Sequence, residues 1–449
     1  MKRLLIISII FSCAIVFSQS ESRVVTPPYW GTIFVDPDII TEDDVTTFIE
    51  APYAGQGMRT MFDRRVNGWI TVNAYLFNAT FDDSLTSEIQ VNPEFGSSDT
   101  AFVYAERYGI AIGRLPTVLR DDMETVWIHR GTQPFGGGNN NLLIHTGQAL
   151  DYIDDGILEE ALIHEAAHTS LDSDHASSAG WLSAQTIDGE FISTYAQDNP
   201  TQEDIAESFL LYLAIRYRSD RITQSTYQTI TQTIPNRIQY FDNQSFNMYP
   251  ISPVWHVATT GSDQTGDGSV YNPFASINHA IQNANYSFIE DMYYADTIVV
   301  HDGIYMESID DIPASPEFWT LSLYGSWYII SENGPEYTRI QATASENTIN
   351  TAYSYVTFNG FQFDGFSYGE YASYSRFENC LITGSQDGDA STCGPCLIFD
   401  QCTLIDNELT TFMGNGVEIK NSIFVDNPNY QLSAGDVVSY TLNDLGLNE

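Results

Sequence analysis

The residues with the clearest capacity for chemistry are His164-Glu165-Ala166-Ala167-His168. Two imidazoles four residues apart on a helix fall on one face, so both can reach a single metal ion while the turn between them keeps them in register. The carboxylate beside the first imidazole is then placed to take a proton from water and return it to a leaving amine. Because this five-residue pattern recurs by chance on many helices, its weight depends on its surroundings. Leu162 and Ile163 just before it supply the buried face that a helix inside a site needs.

A catalytic zinc ion takes three protein ligands and keeps a fourth position open. Several residues compete for third place. Asp174 falls where the metzincin pattern puts its last ligand, with His175 one residue further, but Leu171 stands where that pattern requires a Gly. Asp172, four residues past His168, is better suited to hold a ligand imidazole from behind. Downstream, Glu203-Asp204-Ile205-Ala206-Glu207-Ser208-Phe209 reads as an amphipathic helix with Glu203 and Glu207 on one face, and a carboxylate from a second helix suits an open zinc geometry. The bland alternative is a solvated acidic helix face, with Tyr195 one aromatic among many.

Together with Ser193-Thr194-Tyr195-Ala196, this stretch resembles the gluzincin metallopeptidases of the anthrax lethal factor type, over about Leu158 to Leu213. The resemblance implies His164, His168 and Glu203 as zinc ligands, Glu165 as general base, Tyr195 as donor to a developing oxyanion and Glu207 as support behind the ligands. Tyr195 stands eight residues before Glu203, one more than the family pattern. His129, His145, His175, His256, His279 and His301 are scattered and read as structural.

The elements that must position these groups follow from periodicity. Helices are expected over about Gly156 to Thr169 and Gln202 to Tyr217, and strands over Trp69 to Phe77, Val126 to His129 and Leu142 to His145. The Gly and Asn run from Pro134 to Asn141 is expected to be a mobile loop. An edge strand ahead of the metal helix would be able to pair with an extended peptide.

Past Pro253 the rhythm changes to short apolar segments with turns between them. Phe358-Asn359-Gly360-Phe361, Phe377-Glu378-Asn379-Cys380, Phe399-Asp400-Gln401-Cys402 and Ile419-Lys420-Asn421-Ser422 begin 19, 22 and 20 residues apart. One such rung cannot bury its apolar face alone, so rungs must stack and share an interior column. With the turns from Trp255 to Tyr305, this region of about 190 residues resembles right-handed parallel β-helix proteins of the pectate-lyase-like type. That architecture hosts many activities. The expected fold is thus multidomain: an α+β zincin-like metallopeptidase domain over 21–250, then an all-β right-handed parallel β-helix over 251–449.

Composition bounds the rest. The 449 residues carry 59 acidic against 17 basic side chains, a net charge of −42, which repels nucleic acid and anionic membranes. So many carboxylates make structural Ca2+ sites an expectation beside Zn2+. Lys2 and Arg3, the apolar run Leu4 to Phe17 and Ser18-Gln19-Ser20 read as a secretory leader over 1–20, and no later run has the roughly 20 apolar residues of a membrane span. In an exported chain Cys380, Cys393, Cys396 and Cys402 are expected as disulfides, with Cys380 and Cys402 at matching positions of neighbouring rungs. The function expected is that of a secreted or cell-surface zinc endopeptidase acting on protein or peptide, its β-helix touching polysaccharide or glycoprotein. The alternative is a carbohydrate-binding or carbohydrate-degrading β-helix protein, or an adhesin, with an inactive zincin domain. Past Pro253 only Arg339, Arg376 and Lys420 are basic, too few for a polyuronate lyase.

Overall fold

The computed structural model describes residues 26–284, 286–289, 292–307, 309, 327–341, 356–365, 375–384, 397–405 and 417–425. The expected leader over 1–20, and Cys393 and Cys396, lie outside them. The described chain is mixed α/β with parallel sheets, and no helix in it is long and apolar enough to cross a membrane.

The first half is built on a seven-stranded sheet of β1 (Phe48–Glu50), β2 (Tyr53–Asp63), β3 (Gly68–Phe81), β4 (Thr86–Val91), β5 (Thr125–His129), β6 (Gly136–Gly138) and β7 (Asn141–His145). Strand order is β1-β3-β4-β5-β7-β6, with β2 also pairing β3. β4, β5 and β7 run parallel, while β2 and β6 are antiparallel to their partners. β3 alternates buried Ala74, Leu76 and half-covered residues as a strand with two unequal faces must. The β2–β3 turn closes through Asn67 at φ 50°, a left-handed conformation that Asn tolerates.

Around the sheet lie α1 (Ser98–Gly113), α2 (Thr117–Arg120), α3 (Thr146–Asp154), α4 (Leu158–Ser170), α5 (Ala179–Asp188), α6 (Thr194–Asp198), α7 (Asp204–Tyr217), α8 (Gln224–Thr233) and α9 (Pro235–Asp242). The two helices read from periodicity are α4 and α7. Every residue of α7 from Asp204 to Ile215 is buried, so the alternative of Glu203 and Glu207 as a solvated face is wrong: Glu207 is 1% exposed and the Glu203 side chain 14%. The loop expected over Pro134 to Asn141 also needs correction. It contains β6, which pairs Gly136 with Leu143 and Gly138 with Asn141 at the end of the sheet. Consecutive glycines hide the alternation that betrays a strand, and here they are required. A Cβ on Gly137 would stand 1.8 Å from the carbonyl oxygen of Glu165, so β6 touches α4 backbone to backbone.

In the second half, from Thr297 on, consecutive strands alternate between two parallel sheets. One holds Val254–Val257, Thr297–Val300, Trp327–Ser331, Val356–Asn359, Ser375–Glu378, Leu397–Asp400 and Val417–Lys420; the other runs from Gly303–Tyr305 to Ile423–Val425 in six strands. The repeat seen in the sequence is the register itself. Phe358 pairs with Phe377 and Phe377 with Phe399, their rings stacked 5.4 Å apart at 14° and 23° in the interior. The third position of each repeat, Gly360, Asn379, Gln401 and Asn421, has positive φ and makes the corner from one sheet to the next.

Cys380 and Cys402 occupy the following position, both buried. They are free thiols rather than the bridge expected: Cys380 Sγ donates to the Glu378 carbonyl (3.1 Å) and Cys402 Sγ to that of Phe377 (3.3 Å). Buried apolar residues form one large cluster ending at Ile251 and another beginning at Val257. Polar contacts join the two halves: Asp267 accepts from Arg216 (3.0 Å) and Tyr227 (2.5 Å), and Tyr271 donates to the Ile222 carbonyl.

Candidate metal centre

α4 lies between β6, β7 and α7 and carries His164 and His168 one turn apart, on the side that faces the start of α7. Their Nε2 atoms approach to 3.3 Å. Glu203, at the N-terminal end of α7, brings Oε2 within 3.1 Å of His168 Nε2 and 3.5 Å of His164 Nε2. Among the described residues this is the one group of three such side chains whose ligand atoms all lie within 4.8 Å of one another. No comparable cluster answers the calcium expectation there. Asp263 and Asp267 instead accept hydrogen bonds from Ala275, Ser276 and Arg216.

What stands behind the three groups decides what they can hold. His168 Nδ1 is 2.9 Å from Asp172 Oδ2, and His164 Nδ1 is 3.4 Å from Glu207 Oε1. Carboxylates accept, so a neutral His168 carries its proton on Nδ1, while His164 Nδ1 faces the Glu207 carboxylate; both rings turn Nε2 inward. With both Nε2 atoms unprotonated, two lone pairs and a carboxylate oxygen converge on one point, which is repulsive unless a cation sits among them. A proton on Nε2 answers the same field. Burial disfavours a charged His168, yet hydrogen bonds and charges from Asp172 and Glu203 outweigh it and push its pKa up to about 10. Burial alone would raise Glu203, but the hydrogen bonds of His164 and His168 hold it well below the usual carboxylate range. The donor set of two imidazoles and one carboxylate fits a divalent zinc-type ion.

The remaining residues singled out from sequence are placed as follows. Glu165 is on the same turn of α4, its backbone under β6, and its charge reaches Tyr152 of α3 and Tyr195. Tyr195 sits in α6, 36% exposed, and donates its hydroxyl to Glu203 Oε1 at 2.9 Å. Burial and that carboxylate push the phenol up to about 12. Asp172 is where the sequence put it, behind His168. Asp174 and His175 are not brought in: His175 Nδ1 meets the Tyr240 hydroxyl at 2.7 Å and its ring packs on Tyr240 and Phe246. The other histidines are less scattered than expected. His129 and His145 form a buried pair across β5 and β7, His129 lowered to about 4 by burial, and His256 Nδ1 lies 3.1 Å from His301 Nε2.

Glu207 stands behind His164 as expected, but its own anchors and two further supports escaped sequence reasoning. Glu207 Oε2 accepts from Ser193 Oγ (2.7 Å) and from the Ile33 backbone N–H (3.1 Å), so a strap near the N-terminus is tied to His164 through one carboxylate. No side-chain pattern signals a backbone donor. Second, Asp204, the first residue of α7, is bound by Arg237 Nε (2.8 Å), whose Nη1 also reaches Asp188 (2.9 Å), all three fully buried. An arginine among the apolar residues of α9 was the available signal. Third, Tyr152 lies close enough to Glu165 to feel its charge. Comparison with protein-family models, with curated proteins and with solved structures finds no match to this chain.

Proposed function

We propose that this chain is an exported zinc-dependent endopeptidase, with His164, His168 and Glu203 as ligands and Glu165 as general acid and base. The observation that carries the proposal is the inward convergence of two Nε2 atoms and one carboxylate oxygen, with a carboxylate facing each imidazole from behind. Zinc, when bound, supplies Lewis acidity toward a carbonyl and makes a water proton easier to remove. Glu165 is the carboxylate on the same helix turn that is not spent on a ligand, and it moves the proton from water to the leaving amine. Tyr195, released from Glu203, donates its hydroxyl to the oxygen where negative charge develops. β6 ends the sheet and rests on the Glu165 backbone, so an extended peptide paired along it passes over this turn of α4.

We read the second half as the right-handed parallel β-helix expected from sequence, serving as a binding or anchoring module. The alternation of strands between two parallel sheets supports this reading. A lyase role for it is disfavoured by the state of its cations: Arg339 is paired with Asp364, and Arg376 with Glu378 and Asp400.

The test is metal analysis of the purified protein with casein and peptide cleavage, with and without chelator, beside Glu165→Gln and Glu203→Ala. The proposal expects about one zinc per chain, chelator-sensitive cleavage, loss of cleavage but not of zinc in Glu165→Gln, and weakened zinc binding in Glu203→Ala. Absence of zinc, or undiminished cleavage by Glu165→Gln, overturns it in favour of an adhesin with a silent zincin-like domain.

A further inference from the structure

β6 has two faces with different neighbours. On one, Gly137 rests against the Glu165 carbonyl of α4. On the other, shared with Leu143, a Cβ on Gly136 would meet Arg64 Nη2 at 3.0 Å and Nε at 3.5 Å. The Arg64 guanidinium therefore lies over Gly136, against the end strand of the sheet. It comes from the β2–β3 turn, whose backbone is pinned by its neighbour: Arg65 binds buried Asp63 at 2.8 Å and Glu94 at 2.7 Å. Arg64 itself is exposed and has no carboxylate partner among the described residues, although acidic side chains outnumber basic ones 59 to 17 in this chain. Tyr152, raised chiefly by burial, feels both the Glu165 carboxylate and the Arg64 guanidinium.

We infer that Arg64 is a specificity determinant that binds a carboxylate of the substrate. A peptide added to the free edge of β6 would lie about 4.8 Å away, with side chains alternating between the two faces. The residue opposite Gly136 presents its side chain on the face where the guanidinium lies, and a planar fork of N–H donors fits a carboxylate in bidentate fashion. That carboxylate is either an internal Asp or Glu side chain or the substrate's own C-terminus. Lys at the same position of the substrate is repelled, so the same residue both selects and rejects.

The inference rests on the peptidase reading, and the experiment separates the two. The zinc-loaded full-length protein is given matched peptides with Glu, Gln or Lys at each position, with free or amidated C-termini. The expected ratio of kcat/KM for Glu over Gln is about tenfold at one position, carried mainly in KM. Arg64→Ala brings that ratio close to one, and Arg64→Glu inverts it toward Lys. A preference lost on amidation assigns the carboxylate to the C-terminus; one that survives assigns it to the side chain. Chelator-sensitive cleavage whose preference is unchanged in both variants overturns the role of Arg64 alone, whereas absence of zinc-dependent cleavage in the parent overturns the peptidase reading and this inference with it.

Discussion

Replacing Glu207 by Gln tests how the proposed metal centre is held. In the parent, Oε2 takes the Ser193 hydroxyl and the Ile33 N–H while Oε1 faces His164 Nδ1. An amide of the same shape has one acceptor and one donor, so it satisfies only one side. If its oxygen stays with the strap, the NH2 faces Nδ1, which must then accept. The ring proton moves to Nε2, where it competes with a cation for the same lone pair. If the amide turns over, the NH2 faces the Ile33 N–H, and a buried backbone donor without an acceptor costs about 1–3 kcal/mol. Loss of such support behind a ligand lowers metal affinity about 10–100-fold, or roughly 1.4–2.7 kcal/mol. Titrating zinc into the apo-protein against a fluorescent chelator reads the affinity, and melting of the chelator-treated protein reads the second orientation. Zinc affinity within about a factor of two of the parent would refute the claim that Glu207 orients His164.

Arg237→Met leaves Asp188 and Asp204 buried without a counter-ion, at a cost of about 3–5 kcal/mol, and should weaken zinc binding by loosening the start of α7; an unchanged melting temperature by circular dichroism would contradict this. Glu160, fully buried on α4 with Oε1 accepting from the Ile40 N–H, has its pKa raised to about 7 from 4.5, chiefly by burial. A carboxyl raised in this way contributes stability that is fully present below pH 4.5 and lost as pH rises through about 7, at most about 3 kcal/mol for a shift of about 2.5 units. Glu160→Gln should therefore melt above the parent at pH 8, with the gap closing toward pH 5; a gap independent of pH would refute it. Phe377→Ala opens the ring stack between Phe358 and Phe399 and should cost about 3–5 kcal/mol in the second half while leaving zinc affinity intact, measured by denaturant unfolding beside zinc titration.

Much of this protein is local in origin and therefore legible in one dimension. The spacing of His164 and His168 forces them onto one helix face whatever surrounds the helix. The repeat of Phe358, Phe377 and Phe399 needs only that strands stack in register for the rings to meet, and the Gly, Asn and Gln at the third positions suit the corners they make. Asp172, one turn past His168, was within reach of the same reasoning. What crosses the chain was not legible. Helical spacing put Glu203 and Glu207 on one face but left open whether that face was wet; packing between helices dried it and bound Asp204 and Glu207 through Arg237 and Ser193. The glycines of β6 carry no side chain to pattern, so only the contact with the Glu165 backbone shows why they form a strand. The cysteines sit at matching positions of stacked rungs, yet spacing alone did not decide that each thiol would point at a carbonyl. Chain-local periodicity determined which side chains share a face; which groups stand behind them, and so which charge the site is built to hold, was settled by segments up to 174 residues apart meeting in a dry interior.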